Sequence, residues 1–411
     1  MANDPPGIAE LRRQLAHESL ERISQFEPPS QPDEFSASPC SIALKLLKKW
    51  SSDNKQHIEK AVNSQAFGNN KDTIDWSIAF LPFMESTAVY LRDWGMFLKA
   101  WNTYRVYKSD PESYAAKHEE AIELYAKAYE DIDELAHEWN MHYVNICDLV
   151  TESPEGHSDW DGPFCGAFLP NDKNTDKPFI GVAFKGTNPL QSREIQVDLN
   201  YQLIEASDEL GNQLVSTGVY TGLFGKFEEP YGQPYQFIRT QLAGVTSFFA
   251  KSNTPARLHV TGHSLGGSYS SLCYAGFLKD IPTLFPETEA IMGDQYTFGA
   301  PRVGSNDWAK YNLERVSKSA GQTWRIVNND DIVPQVPPTT LKPDQTNFFH
   351  VDKGMKIFKD QKPETITSEI DGPEPPIYDI GSIGDFIKAV LQTKSHVPNS
   401  YYDAMVYAMG G

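Results

Sequence analysis

The stretch Arg257-Leu-His-Val-Thr-Gly-His-Ser-Leu-Gly-Gly267 constrains the fold of this chain more than any other segment. An apolar, β-prone run leads into Gly262-His-Ser264-Leu-Gly266, and residues 268–279 that follow are small and suited to a helix. The bare Gly, Ser, Gly pattern arises by chance in roughly one chain in ten of this length, at ordinary abundances near ~7% for each residue. Its position between a strand and a helix gives it weight. The two glycines let strand and helix approach across a sharp turn, and the serine sits on that turn with its hydroxyl exposed. A side chain placed there lies at a helix N-terminus, where free N–H groups and the helix dipole favour negative charge. Ser264 is therefore a candidate nucleophile, and the backbone N–H of Leu265, the next residue, is a candidate oxyanion donor.

A serine hydroxyl needs a base to take its proton, and the base needs an orienting acid. For a turn of this kind both follow the serine in the chain, acid first. Residues 324–327 read as a strand running into a loop that carries Asp330 and Asp331, where a sheet delivers functional side chains. Of the 10 histidines only His350 and His396 lie beyond that acid, and spacing leaves both open.

Around the turn the chain reads as α/β. Residues 165–169 and 179–184, separated by the turn-forming 171–176, predict a hairpin. Further strands are expected at 257–261, 295–298 and 324–327, with helices at 234–249 and 268–279, which implies a central, mostly parallel sheet flanked by helices. Residues 1–140 read as helical instead. Asp110-Pro111-Glu112 carries helix-start signals, and Ile122, Tyr125, Tyr129, Ile132, Ala136 and Trp139 recur at steps of three and four on one face. Trp50, Trp76, Trp94, Trp101 and Trp139 are assigned to the core, as such aromatic stripes usually are. Residues 76–104 are apolar, but Glu85, Arg92, Asp93 and Lys99 divide them into pieces too short to cross a bilayer, so they are read as buried helix. Residues 360–376 are read as a long surface loop. The expected organisation is a helical extension over 1–140 and a catalytic domain over 141–411.

Charge narrows the partners. With 36 Lys+Arg against 55 Asp+Glu the net charge is −19, which disfavours nucleic acid and anionic membrane surfaces and leaves neutral lipid as the compatible lipid partner. The 40% hydrophobic content is that of a globular protein. Cys40, Cys147, Cys165 and Cys273 show no metal-ligand spacing and are too few for a disulfide scaffold. The opening MANDPPGIAELRRQ has no basic-then-apolar leader, so an intracellular location is favoured over a secreted one.

Four ordered motifs carry a family resemblance: Phe184-Lys-Gly-Thr187, Gly262-His-Ser-Leu-Gly-Gly267, Thr297-Phe-Gly-Ala-Pro-Arg-Val-Gly304 and Asn328-Asn-Asp-Asp-Ile-Val-Pro334. In order and separation they resemble the fungal and plant class 3 lipases of the α/β-hydrolase fold. The resemblance covers about residue 140 to the C-terminus and leaves the first ~140 residues unexplained. It implies Ser264 as nucleophile, Asp331 rather than Asp330 as the acid, and His396, ahead of the pair Tyr401-Tyr402, as the base, with His350 in a structural segment. It further implies Thr187 as a second oxyanion donor and a short lid over 188–200, in which Leu190, Ile195, Val197 and Leu199 would cover an acyl pocket. Lys185 replaces the family's usual Arg, Tyr220 stands where a His is common, and the lid tryptophan of fungal members is absent. The implied activity is that of a serine carboxylic ester hydrolase acting on neutral lipid or fatty acyl esters through an acyl-enzyme, without metal or organic cofactor. A phospholipase or acyltransferase on the same triad is the alternative, and a non-catalytic lipase-fold interaction protein a more distant one.

Overall fold

The computed structural model describes residues 6–26, 28, 42–64, 67, 73–151, 160–171, 178–186, 202–226, 232–247, 254–285, 290–337, 347–351, 353–370 and 394–410. Helices lead: α1 (Pro6–Ile23), α2 (Leu44–Asp53), α3 (Lys55–Val62), α4 (Trp76–Ala88), α5 (Trp94–Ser109), α6 (Ala115–Lys127) and α7 (Glu130–Glu138). Strands follow as β1 (Met141–Thr151), β2 (Trp160–Pro170), β3 (Phe179–Phe184), β4 (Leu203–Glu205), β5 (Leu214–Ser216), β6 (Ala256–His263), β7 (Ala290–Phe298), β8 (Thr323–Asn328), β9 (Gly354–Ile357) and β10 (Glu364–Ile366). The main sheet has the order β1-β2-β3-β6-β7-β8-β9-β10, and β4 pairs with β5 apart from it. Strands β3, β6, β7, β8 and β9 are mutually parallel, with antiparallel neighbours β2 and β10 at the two sides. This is an α/β-hydrolase fold, as expected, and the expected hairpin is β2 against β3 with Cys165 opposite Phe184.

Helix α4 explains why the first third of the chain is part of this fold's core. Asp75 caps it by accepting the N–H groups of Ser77 at 3.0 Å and Ile78 at 3.3 Å, and every residue from Ile78 to Ala88 is buried. A helix apolar on all sides must be covered on all sides. On one side lies the sheet: Thr261 Oγ1 of β6 donates to the Pro82 carbonyl at 3.0 Å, and His259 Nε2 lies 2.6 Å from Glu85 Oε2. Burial pushes the Glu85 carboxyl up. Strand alternation turns Gly262 the other way, against the helix Leu265–Leu284. Buried apolar side chains from Ile8 to Met405 form one contiguous core, in which Trp50, Trp94, Trp101 and Trp139 are buried and Trp76 is half-buried.

Two expectations about local structure are revised and one strand is added. The helix expected from Asp110 begins at Ala115, because Asp110 Oδ1 instead closes a turn by accepting the Ser113 N–H at 3.1 Å, and the apolar face continues across two helices, α6 and α7. Strand β1 was not anticipated. Part of the expected surface loop, residues 364–366, is the edge strand β10 against β9, while 371–376 lie outside the described residues. No described helix is long and apolar enough to cross a membrane.

A buried polar knot ties the segments after β8. Arg302 donates from Nε and Nη2 to both oxygens of Glu369, at 3.0 and 2.8 Å, and from Nη1 to the Pro337 carbonyl at 3.0 Å. The backbone N–H of His350 donates to Glu369 Oε2 at 2.8 Å, and its ring Nε2–H donates to the Pro334 carbonyl at 2.6 Å. Burial, and then the nearby Arg325, hold the His350 imidazole well below its ordinary range, and burial together with His396 holds His263, at the end of β6, at about 3.

Two outcomes follow. Phe83 of α4 is fully buried against Phe298 of β7, ring centroids 5.3 Å apart, so Phe83→Ala should cost about 3–5 kcal/mol in urea denaturation; a loss below about 1 kcal/mol would show that α4 does not carry the core. Below about pH 6.5 the unfolded chain binds protons that folded His263 and His350 refuse, so stability should fall with falling pH, by up to about 1.4 kcal/mol per unit for each histidine. Glu85 and Asp131, whose carboxyls burial raises, act in the opposite direction, but from the lower ordinary range of a carboxyl. Denaturation midpoints that stay level or rise from pH 7 to pH 5 would refute this.

Candidate active site

Strand β6 ends at His263, Ser264 takes φ 59°, and the helix Leu265–Leu284 starts at the next residue. Left-handed backbone is uncommon outside glycine and is held here by its surroundings. The Ser264 N–H donates to the Phe298 carbonyl of β7 at 2.9 Å. A Cβ at Gly262 would lie 2.1 Å from the Gly266 carbonyl oxygen, and one at Gly266 would lie 2.3 Å from that of Phe184. Only glycine lets strand, helix and the end of β3 meet this closely. Leu265, the expected oxyanion donor, occupies the first helical position, where the N–H has no intrahelical acceptor. Thr187 and the expected lid, 188–200, lie outside the described residues.

Three residues expected from sequence converge on this turn. His396 Nε2 lies 2.8 Å from Ser264 Oγ, and His396 Nδ1 lies 2.9 Å from Asp331 Oδ2. The carboxylate fixes the tautomer: Nδ1–H donates to Asp331, which leaves Nε2 to accept the serine proton. Asp331 is 1% and His396 2% exposed, whereas Ser264 is only partly buried, so of the three the candidate nucleophile is the most open to solvent. Asp331 is held from both sides, Oδ1 accepting the Val333 N–H at 3.0 Å and Oδ2 the Tyr401 hydroxyl at 2.6 Å. Its neighbour Asp330 is exposed. His396 ends the short turn Lys394–His396, which Asn328 holds by donating Nδ2–H to the Ser395 carbonyl at 2.8 Å. The two open histidines are thus separated by geometry, since His350 is bound to Pro334.

Sequence reasoning missed several parts of this site. In the sequence Tyr401 is only half of an aromatic pair, and nothing in its spacing shows that its hydroxyl meets Asp331. Gly299, at φ 63°, leaves room for the triad: a Cβ there would lie 2.7 Å from both Asp331 Oδ2 and the Tyr401 hydroxyl. Tyr90 and His263 also border the site. Tyr220, where the resemblance leads one to expect His, bonds through its hydroxyl to the N–H and Oγ of Ser207, at 3.0 and 2.9 Å. Elsewhere among the described residues, Asp133, His137 and His142 bring possible metal-ligand atoms within 4.8 Å of one another. Asp133 Oδ1, however, already accepts from the Arg12 guanidinium and from the Tyr143 N–H at 3.1 Å, so a cation there would face a fixed positive charge.

Residues 181–341 match the class 3 lipase family. A triacylglycerol lipase of Arabidopsis thaliana is 26% identical over 282 residues, covering 62% of this chain and 49% of its own length. A secreted mono- and diacylglycerol lipase of Fusarium solani is 32% identical over 121 residues, covering 29% of this chain and 30% of its own. Among solved structures, lipase II from Rhizopus niveus is similar at 20% identity with a TM-score of 0.38, covering 59% of this chain and 76% of that one. The chain spans about half the length of the Arabidopsis relative, and less of the Fusarium one. The match to the class 3 lipase family covers the segment that holds Ser264 and Asp331, while His396 lies beyond it.

Proposed function

We propose that the protein is a serine carboxylic ester hydrolase that cleaves neutral lipid or fatty acyl esters through an acyl-enzyme. The observation that carries this reading is the hydrogen-bonded series Ser264, His396, Asp331 on a left-handed turn at a helix N-terminus. His396 Nε2 takes the proton of Ser264 Oγ as it attacks the ester carbonyl, and Asp331 stabilises the imidazolium that forms. The developing oxyanion is held by the Leu265 N–H and by Thr187. The imidazolium then protonates the leaving alcohol, and water, deprotonated by the same histidine, releases the acid. The relatives' printed substrates, tri-, di- and monoacylglycerols, support acylglycerols as the substrate class. The charge of −19 supports uncharged esters over docking on anionic lipid. Residues 1–140 act as a layer that completes the core of the catalytic region 141–411, a role supported by the core the two share.

A fluorophosphonate probe should label the protein, and Ser264→Ala should abolish both labelling and hydrolysis of p-nitrophenyl butyrate. Asp331→Asn should keep the fold and lose on the order of 10⁴-fold in kcat, because the imidazole is then held in the wrong tautomer. Undiminished labelling of Ser264→Ala, or no ester turnover by the intact protein, would sink the reading. Rates on triacylglycerol, diacylglycerol, monoacylglycerol and phosphatidylcholine dispersions separate the acylglycerol reading from a phospholipase.

A further inference from the structure

His263 uses both ring nitrogens. Nε2 lies 2.9 Å from the backbone carbonyl of His396, and a carbonyl only accepts, so Nε2 carries the hydrogen. Burial, together with His396 itself, holds the imidazole neutral down to about 3, so Nδ1 is bare and must accept. Its partner is the Tyr90 hydroxyl at 3.0 Å, which therefore donates. Only one tautomer fits both bonds. The ring also stacks on that of His396, centroids 4.8 Å apart at 28°. Tyr90 follows α4 directly, in the part of the chain that the family match does not reach. Its hydroxyl oxygen also reaches the end of β3: a Cβ at Gly186 would lie 2.2 Å from that oxygen and 3.1 Å from Ser264 Cβ.

We infer that Tyr90 is a positioning residue for the catalytic histidine: by donating to His263 Nδ1 it holds the imidazole in place, so that Nε2–H, the tautomer the His396 carbonyl requires, anchors that carbonyl and keeps the His396 ring in reach of Ser264 Oγ. The inference rests on the serine hydrolase reading. The turn Lys394–His396 is short and is anchored at successive carbonyls, Ser395 by Asn328 and His396 by His263. In the opposite tautomer of His263 a nitrogen lone pair would face the His396 carbonyl oxygen, and the turn would be pushed away from the serine. Catalysis is sensitive to such displacements, with a shift of about 1 Å costing on the order of 10²-fold. Tyr90 touches neither substrate nor reacting atom in this scheme and acts through His263.

The test compares the intact chain, Tyr90→Phe, His263→Leu and the double variant, on p-nitrophenyl butyrate and in the rate of fluorophosphonate inactivation. Tyr90→Phe removes one oxygen and keeps the ring. It should lower kcat and the inactivation rate about tenfold, with KM within about twofold and the melting temperature within a few degrees. In the His263→Leu background the same change should alter kcat by less than about twofold, because the path through the imidazole is already gone. Unchanged kcat, an equal loss in both backgrounds, a change confined to KM, or loss of cooperative unfolding by Tyr90→Phe would each overturn the inference. If His263→Leu does not fold, the kcat, KM and melting temperature of Tyr90→Phe alone decide. Intact protein without Ser264-dependent turnover overturns the hydrolase reading and this inference together, whereas active intact protein with unaffected Tyr90→Phe overturns this inference alone.

Discussion

Everything at the site depends on the backbone of Ser264. One non-glycine residue is held at φ 59° between a strand and a helix, a conformation that costs about 1–2 kcal/mol on its own. The surroundings impose it, since the Ser264 N–H is bound to Phe298 on β7 and Gly262 and Gly266 allow strand and helix to close without Cβ atoms between them. The turn lifts Oγ off the sheet beside the first free N–H of the helix, so the candidate nucleophile and candidate oxyanion donor are set by one dihedral. Neighbouring elements then fit themselves to that position: the end of β3 at Gly186, the turn after β7 at Gly299, and the loop after β8 at Asp331.

The polar groups behind the turn are satisfied in an order that leaves the serine hydroxyl as the one partly exposed member of the triad. Asp331 accepts from Val333, Tyr401 and His396, and His396 is anchored through its ring and through its own carbonyl. Such networks fix orientation because each buried partner would be costly to leave unpaired. The helical first third supplies part of this framework. Phe83, Pro82 and Glu85 of α4 meet β6 and β7, and Trp50 of α2 stacks on Tyr402 at 4.1 Å, bracing the helix Pro398–Ala408 that follows His396.

Much of this was legible in the sequence, and the failures have physical causes. The parallel strands β6, β7 and β8 could be read because each is a short apolar run bounded by turns. Strand β1 escaped notice because Asn145 and Asp148 interrupt its apolar pattern. Both are buried with partners from other elements: Asn145 donates to the Tyr125 hydroxyl, and Asp148 meets the Tyr129 hydroxyl and the Arg92 guanidinium. Strand β10 escaped for the opposite reason, being an exposed edge with little apolar content. The face running from Ile122 to Trp139 was correctly read as buried, but the break between α6 and α7 leaves that period nearly unchanged and so left no trace in it.

The sequence alone determined the candidate nucleophile, its turn and the expected chain order of acid and base, because those rest on local spacing: glycines that permit a close crossing and a loop that follows a strand. Spacing alone left His350 and His396 open and only the resemblance favoured His396, whereas in the fold the two differ by what each meets in space, Pro334 in one case and Ser264 in the other. The same holds for Tyr401 on Asp331 and Tyr90 on His263, separated by 70 and 173 residues along the chain. Contacts between residues so far apart carry no periodic signal, and only packing the helical third and the C-terminal helix onto one sheet brought them together.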